Sequence, residues 1–174
     1  MTSEQYISIA ANVMTIIGGF LAFYVFYNWK NQENYSFTRD KIFECELIFA
    51  RLLTSIQNYL EIYKDEVPFP QNRINKTNLE LTNVLLAEVR KTIDPLLNEY
   101  ELSLYSLSVL EVNYNIEKLP NFIALNGQFK RYIDLLNKTE TKEQAAETYL
   151  FIRESLITTK TYGLTELKNL RIKL

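Results

Sequence analysis

The chain has 174 residues, with 19 Lys and Arg against 21 Asp and Glu and no histidine. A net charge of −2 supplies no broad field for capturing nucleic acid, so no nucleic-acid partner is expected. The missing histidine removes His-based acid/base catalysis, Ser-His and Cys-His nucleophiles and most zinc and haem ligation. The single cysteine, Cys45, permits no internal disulfide.

In chain order, the first predicted element covers Tyr6 to Trp29, YISIAANVMTIIGGFLAFYVFYNW, with no charge between Glu4 and Lys30. At about 1.5 Å of rise per residue it makes a helix of roughly 36 Å, against a hydrocarbon core of about 30 Å. Its ten Ile, Leu, Val and Phe residues favour bilayer insertion by roughly 3 to 6 kcal/mol. The composition predicts a transmembrane helix. MTSEQ lacks the basic head of a cleavable signal, and Lys30, Arg39 and Lys41 lie on the C-terminal flank. These flanks predict a single-pass protein of the inner membrane, with its N-terminus outside and the remaining residues in the cytoplasm. Tyr24, Tyr27 and Trp29 would form the interfacial aromatic belt.

Only Gly127 and Gly163 remain for turns after that stretch, which argues against a β-rich fold. A helix is predicted from about Ser36 or Thr38 to Tyr63, since Ile42, Cys45, Phe49, Leu52, Ile56, Tyr59 and Tyr63 step by alternating threes and fours. Phe43, Ala50, Leu53 and Leu60 widen the stripe to that of a bundle helix. Pro68 and Pro70 mark a loop over 64–76. A second helix is expected over 77–93, with Leu81, Val84, Leu85, Val89 and Ile93 inward. Asp94-Pro95 reads as the start of a third, running toward Tyr114. Its LSLYSLSVL segment alternates serine with apolar residues in the manner of a strand, but no partner strand is evident. A fourth helix is predicted over 121–137, with Phe122, Leu125, Phe129, Tyr132, Ile133 and Leu136 inward. Thr141 and Gln144 form a capping-box pattern for a fifth, carrying Tyr149, Leu150, Ile152, Leu156 and Ile157 to an end at Tyr162-Gly163. A short helix from Leu164 closes the chain.

The predicted fold class is therefore all-α, one transmembrane helix followed by a bundle of about five helices. Residues 1–29 form the tail and span, 30–37 a linker and 38–174 the cytoplasmic domain.

Two surfaces stand out as candidate sites. Ser8, Ala11, Thr15, Gly18 and Ala22 share one seam of the first helix with Asn12 beside it, and small residues of this kind let helices approach closely. Lys160, Lys168, Arg171 and Lys173 make a basic cluster that could hold an anion or an acidic partner. Asp40, Glu44 and Glu46 do not share one face, and Cys45 lies in the apolar stripe, where a thiol is inert. No metal, cofactor or catalytic set is expected, and no enzyme activity.

The architecture of the whole chain resembles the small single-span bacterial membrane proteins of unknown function encoded in anti-phage and stress loci. The resemblance rests on no motif, so no residue roles come with it. It implies a membrane-acting effector whose helical domain receives a partner or signal. The expected function is an interaction or sensor module that associates through its first helix, as a homo-oligomer or with another protein. The alternative is a toxin-like effector that oligomerises into a pore and permeabilises the membrane.

Overall fold

The structure, a computed structural model, describes residues 3–66 and 76–173, with side chains over 12–65 and 84–173. Four helices account for nearly all of it: α1 (Ser3–Glu66), α2 (Lys76–Val109), α3 (Phe122–Asn137) and α4 (Lys142–Lys173). The all-α expectation holds, but the count of one span plus about five helices does not. The predicted span, the linker and the helix predicted from Ser36 or Thr38 to Tyr63 are one element, because NQEN and the residues around it contain neither proline nor glycine to stop α1. The second and third predicted helices merge into α2 with Pro95 inside it, and the last two merge into α4 through Gly163. The expected loop at Pro68 and Pro70 lies outside the described residues.

Among the described residues, no helix is long and apolar enough to cross a membrane. This corrects the expected transmembrane helix, and with it the single-pass inner-membrane placement with the N-terminus outside. The physical reason lies in the described part of the charge-free stretch. From Asn12 to Trp29, the polar groups of Asn12, Thr15, Tyr24, Tyr27 and Asn28 and the bare backbone at Gly18 and Gly19 dilute the apolar side chains. The side chains of Tyr6 to Ala11 lie outside the described residues.

The chain divides into two compact units, Met1–Arg39 and Asp40–Leu174. The larger unit owes its core to the periodicity of its helices. On α1, Ile42, Cys45, Phe49, Leu52, Leu53, Ile56 and Leu60 are buried, while Tyr59 and Tyr63 pack half-buried at the edge. They face Ile93, Leu97, Tyr100, Leu104 and Leu107 of α2 and Tyr149, Ile152, Leu156 and Leu167 of α4. α3 packs against both α2 and α4 through Leu125, Phe129, Tyr132 and Leu136. Full burial of each such side chain contributes about 1.5–3 kcal/mol. Several residues expected inward are not: Val84, Leu85, Leu150 and Ile157 are 45–60% exposed.

The ends of the helices have identifiable causes. α2 stops at Val109 because Glu111 turns left-handed at φ 57°, with the Val112 amide donating to the Leu107 carbonyl and the Glu111 amide to that of Ser108. This is a Schellman end with glutamate where glycine is usual, and the strain is offset by Val112 packing on the core. The connection to α3 is tied down at three points. The Asn115 side chain accepts from the Glu117 amide, the Asn115 amide donates to Glu166 of α4 at 3.2 Å, and Tyr100 donates its hydroxyl proton to the Pro120 carbonyl at 2.7 Å. Asn121 caps α3 by accepting from the Ala124 amide at 2.9 Å. Thr141 caps α4 by accepting from the Gln144 amide, and the Gln144 side chain accepts in return from the Glu140 amide rather than that of Thr141.

Candidate functional site

The charge-free part of α1 is the first candidate surface. Of the expected seam, Asn12, Thr15, Gly18 and Ala22 are exposed, and a Cβ added at Gly18 would meet nothing within 4 Å. Ser8 and Ala11 fall among the residues whose side chains are not described. The seam is one part of a larger surface. Twelve large apolar residues between Val13 and Trp29 are exposed, among them Phe20 at 73% and Phe23 at 76%, and their positions cover every side of the helix. Phe26 and Trp29 lie with ring centroids 6.1 Å apart and line a shallow apolar depression with Leu21, Ala22 and Val25.

The basic cluster is the second candidate, and the structure does not bring its four members together. Lys160 donates to the Thr54 hydroxyl at 2.9 Å. Arg171 turns toward α1, 3.5 Å from Glu46 and 5.2 Å above the Phe43 ring, so its charge is already engaged. That distance makes an ion pair without a hydrogen bond to Glu46 Oε2, an oxygen shut off from solvent. Lys168 and Lys173 stay exposed with no carboxylate partner among the described residues. Since Lys160 and Lys173 are about 20 Å apart along α4, no compact anion pocket forms.

The acidic residues of α1 are likewise dispersed. Glu44 pairs with Lys41 at 2.6 Å, Glu46 with Arg171, and among the described residues no three carboxylate or thiol groups converge on a metal position. Burial pushes the Cys45 thiol up to about 11, a rise that the Glu44 and Glu46 charges add to and a hydrogen bond with Ser103 opposes. Held neutral at physiological pH, that thiol packs as an apolar group, as its place in the stripe implies. Burial likewise raises Tyr100 beyond the ordinary range of a phenol, where it acts only as a donor to Pro120.

Two features escape sequence reasoning. Tyr132 of α3 donates its hydroxyl proton to Ser155 of α4 at 2.8 Å and is met by the Gln128 amide, a polar link across a core helix pair. The second is a set of outward apolar rows on α2 and α4. Leu102, Tyr105 and Val109 are 63–68% exposed, on the side of α2 opposite buried Tyr100, Leu104 and Leu107. The LSLYSLSVL alternation signals this, because a helix apolar on two opposite sides shows apolar residues at both odd and even steps. No protein family, curated protein or solved structure matches this chain.

Proposed function

We propose that this protein is a helical interaction module without catalytic activity, and that it self-associates through the apolar stretch of α1. The carrying observation is the exposure of twelve large apolar residues between Val13 and Trp29 on all sides of one helix. A helix apolar all round is stable in water only when other surfaces cover it, and exposed apolar patches of this size mark association sites. Equivalent helices of other copies suit that surface best. The stretch has no charge to match against a charged partner, and Gly18 and Ala22 permit close approach of a second backbone. One neighbour covers one side only, so an assembly of three or more chains follows.

The test is the mass of the full chain by size-exclusion chromatography with light scattering. The wild type should run as three or more copies, and Gly18→Lys with Ala22→Lys should bring it toward a single copy while far-UV circular dichroism stays helical. A wild-type chain that runs as one copy overturns the proposal. So does one that floats with lipid vesicles without associating with itself.

A further inference from the structure

The unit Asp40–Leu174 carries a second apolar surface that the α1 stretch does not account for, and it comes in two halves of opposite charge. On α2, Leu102, Tyr105 and Val109 follow the three-and-four spacing of one helix face and are exposed by 66%, 68% and 63%. Glu99 and Glu101 flank that face, both exposed, and neither pairs with a cation among the described residues. On α4, Ile157, Leu164 and Ile172 form the matching row, with Ile157 46% and Ile172 69% exposed and Leu164 half-buried. Lys168 stands within that row and is exposed. Phe43 and Leu47 of α1 extend the apolar ground on the side where Arg171 crosses to Glu46.

Neither row is explained by the fold of a single chain. Leu164 alone packs half-buried against the core; the exposed members of each row lie opposite or beside a complete core stripe on their own helix, so packing inside the chain gives no reason for them. Both lie at the same level of the bundle, since Phe49 packs against Tyr100 of α2 and against Gly163 of α4.

We infer that the acidic-edged row of α2 in one copy docks on the basic-edged row of α4 in a second copy. Charge complementarity selects the occupant: two unpaired carboxylates, Glu99 and Glu101, edge one apolar row, the unpaired ammonium group of Lys168 stands in the other, and the same chain supplies both. The contact joins two different patches, so it is heterologous and repeats from chain to chain, or closes reciprocally in a pair. It rests on the reading of this protein as a self-associating module but uses none of the α1 residues. Association through α1 raises the local concentration of the second contact, which need then be only weak by itself.

The experiment mixes full-length chains of light and heavy isotopic composition, treats them with a carbodiimide that joins carboxylates to neighbouring amines, and identifies mixed-isotope pairs by mass spectrometry. Pairs between Glu99 or Glu101 of one chain and Lys168 of another are expected. Glu101→Lys and Lys168→Glu should each lower their yield about tenfold, as a like-charge contact replaces an attractive one. The chain carrying both should recover the yield, now through the reversed pair at positions 101 and 168. Failure to find mixed pairs between these helices overturns the inference, as does a doubly substituted chain no better than the singly substituted ones. The α1 reading is judged separately, by the mass of the Gly18→Lys and Ala22→Lys chain, so either contact can fail alone.

Discussion

Gly163 lies inside α4 because the edge of the Phe49 ring occupies the space where a side chain would begin. A Cβ there would stand 2.6 Å from Phe49 Cζ, 3.3 Å from Cδ1 and nearer still to Cε1. The ring has little room to retreat, being fully buried with the Tyr100 ring 5.3 Å away. Gly163→Ala therefore sets overpacking, about 1–3 kcal/mol, against the gain of alanine over glycine in a helix interior, up to about 1 kcal/mol. The net is a loss of up to about 2 kcal/mol, or up to about 8 °C in Tm for a domain of this size. The decisive comparison uses Phe49→Leu, which removes the ring edge. In that background Gly163→Ala should stabilise by about 0.5–1 kcal/mol, so the two positions couple by the overpacking cost, about 1–3 kcal/mol. Urea unfolding followed by far-UV circular dichroism, at one chain concentration for all four proteins, measures the cycle. A more stable protein from Gly163→Ala alone, or the same cost in both backgrounds, would refute the close approach as the reason for glycine.

Two further outcomes follow from buried groups. Cys45 ionises at about 11 in the fold against an ordinary 9.0, so its contribution is complete below about pH 9 and lost as pH rises through 11. Native chains should resist a thiol-alkylating reagent at pH 8 and react once urea unfolds them, and Cys45→Ala should flatten the alkaline fall in stability by up to about 3 kcal/mol; rapid native labelling would contradict the burial. Arg171→Ala leaves the enclosed Glu46 oxygen without its cation and should cost about 1–3 kcal/mol, with Glu46→Gln recovering part of the loss in the double variant. An unchanged midpoint in urea would show that the pair contributes nothing.

Much of the core was legible along the chain. The steps Ile42, Cys45, Phe49, Leu52 and Ile56 point inward as their spacing implies, and α3 with its buried Leu125, Phe129, Tyr132 and Leu136 matches its predicted bounds almost residue for residue. Cys45 as a packing residue was also readable, because its neighbours three and four positions away are apolar. The breaks between helices were not. Asp94-Pro95 and Tyr162-Gly163 carry local stop signals, yet α2 and α4 run through both. The candidate surfaces were read only in part. The basic cluster looked like one site, but Arg171 has its partner 125 positions back along the chain, at Glu46, and no local pattern reveals such a pairing.

The sequence by itself determined the all-α class and the inward stripes of α1 from Ile42 onward and of α3, since these depend on periodicity and on the scarcity of turn residues. The tertiary structure decided how many helices there are and which apolar residues stay outside. A glycine inside a helix costs about 1 kcal/mol and a proline about 3, whereas each large side chain that a continuous helix keeps in the core contributes about 1.5–3. Around Gly163, burial of Ile152, Leu156 and Leu167 on one side and Phe49 on the other exceeds the local cost, so α4 continues. The same balance leaves Leu102, Tyr105 and Val109 outside, because Tyr100, Leu104 and Leu107 already fill the face of α2 that the core can hold.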